Sequence, residues 1–389
     1  MRVNTKNGKS IGTTLTAQTE IPLRQDFAYT AGLVIKTTQM ASNNKIIILF
    51  DFSLTFIYNY IKLKPTKEGV HMQILKKIKS KAKKVNSTII LPEANLDDRV
   101  YSACKIILKE KLSDIIVFGK VGEFDRDFKT PHCQIVDISA SKNLEIYANQ
   151  LYELRKEKGL TKVEATELVK NPAYFACMML KNKLASGMVA GAKWSTGDTM
   201  RPALQIIKTK KGKKLVTGSM LLIKEGQKPL VFGDCALVQN PTAEDLSEIA
   251  VSNAELFEEL FSKKPNVAML SFSTLGSAKG DMVEKVKEAT TLAKKAGLAV
   301  DGEVQFDVAV DEKTAKKKGL NSASAGKTDV FIFPDLNAGN IGYKIASRLG
   351  GYTAVGPIML NFNAPVNDLS RGCTVEEIVN TVCVTKLLK

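Results

Sequence analysis

Histidine is nearly missing from this chain: its 389 residues include 2, His71 and His132. Serine–histidine and cysteine–histidine nucleophilic chemistry needs such a base beside a nucleophile motif, and neither histidine has one nearby. The 6 cysteines (Cys104, Cys133, Cys177, Cys235, Cys373 and Cys383) form no C-x-x-C and no Cys/His cluster. That spacing suggests neither a disulfide framework nor a zinc site, so no metal is expected and a reducing cytoplasm is the natural compartment. G-x-G-x-x-G and G-x-x-x-x-G-K-[ST] are both absent, which removes the usual support for a nucleotide enzyme. No fixed-period repeat and no long low-complexity linker divides the chain, so a second domain has to be inserted through short connections.

Long apolar runs are scarce as well. The best, at residues 46–61, is broken by Asp51 and followed by Lys62 and Lys64. It is shorter than the roughly 20 residues that span a bilayer and lies too deep for a signal peptide. No membrane association is expected. Residues 1–71 also lack the regular patterning that follows. Lys67-Glu68-Gly69 can be encoded by a ribosome-binding sequence a short distance upstream of Met72. These residues therefore read as a disordered extension or an untranslated leader, with the working protein starting at Met72.

What the chain does have is the profile of a soluble globular protein, 44% hydrophobic and 25% charged, with a formal net charge of +16. The lysines are scattered rather than striped, without zinc-finger spacing or an RNP-like aromatic run, so nucleic acid is not expected as a partner. An acidic small molecule fits the charge as well.

From residue 72 strands and amphipathic helices alternate. STIILPEA, DIIVFGK, QIVDI, SGMVAG, PLVFGD, NVAMLSFS, AVDGEVQFDVAV and DVFIFPD read as strands. Residues 96–112, SKNLEIYANQLYELRKEKG, TAEDLSEIAVSNAELFEELF, DMVEKVKEATTLAKKAG and NAGNIGYKIASRLGG read as helices. Of the last three, the first two open on good caps. The fold class is α/β: sandwich domains with largely parallel sheets. The glycines in Gly276-Ser-Ala-Lys-Gly280 and Gly339-Asn-Ile-Gly342 read as turns at strand-to-helix junctions, for which positive φ is sufficient reason.

Two stretches carry chemistry. In STGDTMRPALQIIKT, residues 196–199 supply turn and cap residues, and a helix opens with Arg201 beside Pro202. A cation in a first helical turn opposes the macrodipole unless an anion sits there too, and a guanidinium with helix-start N–H groups makes a phosphate or carboxylate cradle. A solvent-exposed arginine accounts for the residue equally well. In PVNDLSRGCTVEE, residues 365–377, Ser370 and Arg371 leave a turn, Gly372 relaxes the backbone, and Thr374 to Glu377 matches the S/T-x-x-E capping box. Local pattern favours the cap for Glu377 over catalysis.

These two stretches, together with MLSFSTLGSAKG, DGEVQFDVAV and VFIFPDLNAGNIGYKI in this order, closely resemble the motifs of the phosphate acetyltransferases over residues 72–389. The resemblance implies two α/β domains with a cleft between them, the second inserted in the first: residues 72–212 plus 358–389, and residues 213–357. It implies the reaction acetyl phosphate + CoA ⇌ acetyl-CoA + phosphate by direct attack in a ternary complex, with CoA as a substrate, no cofactor, and a homodimer. Carried over by position, Ser370 and Arg371 match the family's active-site pair, Arg201 the arginine of its GD-x-x-RPA motif, and Arg155 another functional arginine. Glu377 stands where the family has a catalytic aspartate, one methylene longer. A second departure is Leu360-Asn361 where the family commonly reads Gln-Gly, which is expected to reshape the wall near the acyl group. The alternatives are an enzyme for butyryl or longer acyl groups, and a non-catalytic acyl-CoA-sensing module of the kind fused to malic enzymes. Retention of the serine, the arginines and a carboxylate argues against the sensor.

Overall fold

The computed structural model describes residues 68–388, with side chains from residue 74. Expectations for residues 1–67, the apolar run at 46–61 and the leader reading among them, lie outside the described residues. The first helix, α1 (Glu68–Lys83), runs through Met72, and a compact unit spans Val70–Lys389. No helix among the described residues is long and apolar enough to cross a membrane.

The first sheet contains β1 (Thr88–Leu91), β2 (Asp114–Phe118), β3 (Cys133–Val136), β4 (Gly187–Ala190) and β11 (Val366–Asp368), in the order β11-β4-β1-β2-β3 and parallel throughout. Short runs such as TIIL and DIIVF are buried on both faces, which is why they read as unbroken apolar stretches rather than alternating ones. One face packs on α2 (Asp98–Lys109) and α12 (Val375–Leu387). The other packs on α3 (Leu144–Arg155), α5 (Pro172–Lys181) and α6 (Thr196–Ile206); the short α4 (Lys162–Leu168) lies between α3 and α5 in the chain.

The second sheet contains β5 (Thr217–Ile223), β6 (Leu230–Gly233), β7 (Val267–Leu270), β8 (Val300–Val304), β9 (Val330–Ile332) and β10 (Thr353–Leu360), ordered β10-β5-β6-β9-β7-β8. Its last four members are parallel, while β5 runs antiparallel to both of its neighbours. On one side lie α7 (Ala243–Phe261) and α8 (Asp281–Lys295). On the other lie α9 (Phe306–Val310), α10 (Glu312–Lys317) and α11 (Leu336–Arg348).

Several local expectations change. AVDGEVQFDVAV is a strand only to Val304, then turns into helix α9. Helix α8 opens on Gly280 with no side-chain cap, whereas α7 has a reciprocal Thr242–Asp245 capping box. Gly339 and Gly342 lie inside α11 rather than in a turn. A Cβ on Gly339 would collide with the Asp234 carbonyl, and one on Gly342 with the Phe333 ring, so close packing is what requires glycine there.

The chain crosses between the sheets twice, at residues 207–216 and 361–365, and the two crossings run side by side. Thr209 bridges Phe362, Lys210 N–H donates to the Asn361 carbonyl at 2.8 Å, and Asn363 Nδ2 donates to the carbonyls of Ile207 and Thr209 at 3.0 and 2.7 Å. Asn361 has φ +72°, a left-handed conformation that asparagine tolerates better than other side-chain-bearing residues, which explains how it stands in a glycine's place. Its Oδ1 accepts from Ser252 Oγ at 3.1 Å and its Nδ2 donates to the Leu215 carbonyl at 3.1 Å. Leu360 is buried beside it. The departure at 360–361 therefore bears on the crossing between the sheets. Asn361→Gly is expected to lose the two side-chain bonds at about 1–2 kcal/mol, while Asn361→Val adds left-handed strain and costs about 3 kcal/mol. Urea unfolding midpoints measure both; equal losses would contradict the role of φ.

Candidate functional site

In the first sheet the chain proceeds from β1 outward to β2 and β3, then returns to place β4 on the other side of β1. Loops leaving the carboxyl ends of β1 and β4 diverge at such a switch point and leave a crevice, the usual ligand position in doubly wound sheets. The loops there are residues 92–97, 191–195 and 369–374.

A buried carboxylate shapes the middle loop. Glu93, 1% exposed, accepts four backbone N–H groups: Gly191 and Ala192 at Oε2 (2.7 and 3.0 Å), Lys193 and Trp194 at Oε1 (2.9 and 3.0 Å). Helix α6 starts directly after, with Ser195 as its cap accepting from Asp198 N–H at 3.2 Å. The helix thus begins at Thr196, and Arg201 falls in its second turn with Pro202 inside the helix. The macrodipole argument for Arg201, which needs the first turn, does not hold.

Arg99 joins this loop to the third. Its guanidinium is held by Asp97 (2.7 Å to Oδ2) and donates to the carbonyls of Ala192, Arg371 and Cys373 at 2.8, 2.8 and 2.9 Å. Asp97, hydrogen-bonded by this side chain, is lowered from the usual carboxylate value.

A second tie runs through Asp368 at the end of β11. Thr196 Oγ1 donates to its Oδ2 at 2.7 Å, linking the start of the helix that carries Arg201 to the strand end two residues before Ser370. The other oxygen, Oδ1, is buried without a partner among the described residues, and Gly191 (φ +106°) presses so close that a Cβ there would collide with it. Burial pushes Asp368 up to about 6, the nearby charge of Glu93 adding to the rise and the Thr196 bond opposing it.

The five residues singled out from sequence fall into two groups. Arg155, at the end of α3, and Arg201 both lie within electrostatic reach of Tyr174 on α5: burial pushes the Tyr174 phenol up, and the two guanidinium charges pull it down. Ser370, Arg371 and Glu377 lie on the loop gripped by Arg99 and on the helix start after it. Ser370 is exposed, and its Oγ accepts from Gly372 N–H at 3.3 Å. Gly372 has no positive φ, so no backbone relaxation is needed there. Glu377 makes the reciprocal capping box with Thr374, its Oε2 accepting from Thr374 N–H at 2.7 Å. Its charge also reaches Tyr343 on α11: burial pushes that phenol up, the charge of Glu377 adds to the rise and that of Arg348 opposes it. Arg155, Arg201 and Arg371 make no ion pair or side-chain hydrogen bond among the described residues. The nearby Cys373 is buried and pushed up to about 11, which disqualifies it as a thiolate nucleophile. No group of His, Cys, Asp or Glu that could hold a metal occurs among the described residues.

Glu93, Arg99, Asp368, Tyr343 and Arg348 were not singled out from sequence. Their partners are remote in the chain; the signal available was a charged residue directly following a buried strand, as Glu93 follows β1.

Comparison with known proteins shows the family. The family model described as phosphate acetyl/butaryl transferase matches residues 73–386. The phosphate acetyltransferase of Acetivibrio thermocellus is 46% identical over 324 residues, 81% of this chain and 97% of that protein. Two solved structures superpose at 40% identity: the EutD phosphotransacetylase from Staphylococcus aureus, with TM-score 0.73 and coverage of 82% and 99%, and a phosphotransacetylase from Streptococcus pyogenes, with TM-score 0.76 and coverage of 81% and 98%.

The raised Asp368 pKa has a definite sign. Folding favours its protonated form, so its contribution to stability is greatest below the ordinary value of 3.8 and is lost as pH rises through about 6. The stability of the protein relative to an Asp368→Asn variant is expected to fall by about 2 kcal/mol between about pH 4 and pH 7. Urea midpoints across that range give the comparison; a difference that does not change with pH would contradict it.

Proposed function

The chain belongs to the phosphate acetyl/butaryl transferase family and is an enzyme of it, and from that premise we propose that it interconverts acetyl phosphate plus CoA with acetyl-CoA plus inorganic phosphate, by direct attack of the thiol in a ternary complex. The observation that carries the reading is a set of three guanidinium groups without protein anions of their own: Arg201 and Arg371 on elements tied together by Glu93, Arg99 and Asp368, and Arg155, whose charge acts with that of Arg201 on Tyr174. Like charges held near one another are unfavourable until an anion joins them. A phosphoryl group, which accepts bidentate bonds from arginine, satisfies them.

In this reading the leaving phosphate is already charged and stable, so it has to be held rather than protonated. The arginines hold it. Negative charge develops on the acyl carbonyl as sulfur adds. The Ser370 hydroxyl, whose lone pair is oriented by Gly372 N–H, donates to that oxygen. CoA's thiol, with a pKa of about 8.5 by analogy with cysteine, is mostly protonated at neutral pH and benefits from a positioned base. Glu377 takes that proton. One of its oxygens serves the helix cap, which fixes the carboxylate, and the other is left to accept the proton. Placing both substrates in one crevice supplies the orientation contribution without cofactor or metal.

The architecture fits the same reading. Residues 213–357 act as an inserted lobe beside residues 72–212 and 358–389, with Tyr343 within electrostatic reach of Glu377. Exposed Phe272, Leu275, Phe306, Ile341 and Ile345 on the second sheet's helices and loops supply the apolar face of a homodimer. The cytoplasm, where the free cysteines stay reduced, is the setting.

Arg371→Ala is expected to lower kcat/KM for acetyl phosphate at least 100-fold with the fold intact by circular dichroism, the loss of about 3 kcal/mol of charge-assisted binding in the transition state. Near-normal turnover would remove Arg371 from the phosphate site. Glu377→Gln is expected to slow transfer 10²–10⁴-fold, the range typical of general bases, and to flatten the rise of rate with pH. A variant that keeps both rate and profile leaves Glu377 as a helix cap alone.

A further inference from the structure

Strands β1, β2 and β3 are parallel, so all three start at one end of the first sheet, opposite the loops that carry Glu93 and Arg99. A cavity of about 230 Å³ opens at that end, between the close of α1 and the turns that lead into the three strands. β1 has 4 residues, so about 13 Å of strand separates this cavity from the crevice. None of Arg155, Arg201, Ser370, Arg371 and Glu377 lines it.

The lining is cationic. Lys83, Lys84 and Lys111 line it, and none of them has an ion pair or side-chain hydrogen bond among the described residues. The one carboxylate in the lining, Asp114, is already engaged: its Oδ1 meets His132 Nδ1 at 2.8 Å, and its charge reaches Lys386. Lys386, 7% exposed, donates from Nζ at 2.7 Å to the carbonyl of Leu112, between Lys111 and Ser113. Burial pulls Lys386 below the ordinary lysine value, and the charges of Cys383 and Asp114 oppose the fall. A single acid thus answers a histidine and a buried lysine, and three lysines are left without one. The hydroxyls repeat the imbalance. Ser113 donates to the carbonyls of Ser87 and Asp114 at 3.2 and 2.7 Å, whereas the Ser87 hydroxyl is buried with no hydrogen-bond partner among the described residues. A donor taken out of water and left unpaired costs free energy that an incoming acceptor recovers.

What this end of the sheet lacks is negative charge and acceptor oxygens. Ammonium groups are compact point charges on flexible stems, suited to oxygens that point in several directions, whereas a guanidinium fork favours one flat face. The volume lies below the roughly 300 Å³ at which ordinary small-molecule sites begin, too small for a nucleotide. We propose that this cavity binds a compact polyanion, a small molecule that carries two or more phosphoryl or carboxylate groups, at the end of the sheet remote from the crevice. The proposal does not rest on the transfer reaction assigned above.

His132 is one of 2 histidines in the chain and stands in the cavity wall, which makes it a local reporter. In the full-length protein carrying His71→Gln and carbon-13-labelled histidine, the remaining ring signal in the NMR spectrum is its own. Inorganic pyrophosphate and citrate are the probes, with sodium chloride at matched ionic strength as the control. The expected result is a saturable shift of the His132 signal with at least one probe and none with the chloride. Response to pyrophosphate alone assigns the site to phosphorylated metabolites, and response to citrate alone assigns it to polycarboxylates. The surface double variant Lys83→Ala/Lys111→Ala is expected to bind the active probe about tenfold more weakly, with its circular dichroism spectrum unchanged. Arg371→Ala is expected to leave the titration as it was, which separates this cavity from the crevice. No saturable shift with either probe up to about 10 mM, equal affinity in the double variant, or loss of the response on Arg371→Ala overturns the proposal.

Discussion

The carboxylate of Glu93 is the constraint on which the rest of the site depends. An ionised group taken out of water costs several kcal/mol unless it is fully hydrogen-bonded. Four consecutive backbone N–H groups of residues 191–194 supply those bonds. Satisfying the charge therefore fixes the loop, the loop fixes where α6 begins, and α6 carries Arg201. Arg99 extends the restraint from Ala192 to the carbonyls on either side of Gly372. The second sheet uses the same device: Asp234, 2% exposed, collects Thr217 Oγ1 and the N–H groups of Gly218, Ala236 and Leu237, and Glu303 collects Ser273 Oγ and Gly276 N–H. Loops at parallel strand ends are thus held by buried carboxylates instead of by long packed connections.

Rigid loops explain how uncompensated cations persist. Arg155, Arg201 and Arg371 stand on three separate elements, and none has an ion pair among the described residues. Asp368 belongs to this balance. It is held in the same buried region as Glu93, with one oxygen satisfied by Thr196 and the other by nothing among the described residues.

The parallel strands were legible because burial on both faces leaves uninterrupted apolar runs, and α7 because Thr242 and Asp245 announce its start. The antiparallel pair β5 and β10 was not picked out: MLLI and PIML are buried like the parallel strands, with no alternation to mark an orientation. Helix α9 was absorbed into the strand before it because FDVAV has strand propensity and its helical state is set by tertiary packing. Arg201 was assigned to a first turn because Asp198 and Thr199 also look like caps, whereas Ser195 caps the helix in fact. Arg155 came from resemblance to a family alone, whereas Arg201, Ser370 and Arg371 stood out in the local pattern and took their roles from the resemblance. Glu93 and Arg99 could not come from local pattern, since their partners lie about 100 and 270 residues away in the chain.

The proposed reaction moves an acyl group between phosphate and a thiol in the crevice at the β1/β4 switch point. Release of free thiol from acetyl-CoA, followed as inorganic phosphate is raised from zero, tests it most directly. The predicted result is release that is absent without phosphate and saturates as phosphate is added, with acetyl phosphate appearing in equal amount. Release that ignores phosphate, or none at any concentration, would contradict it.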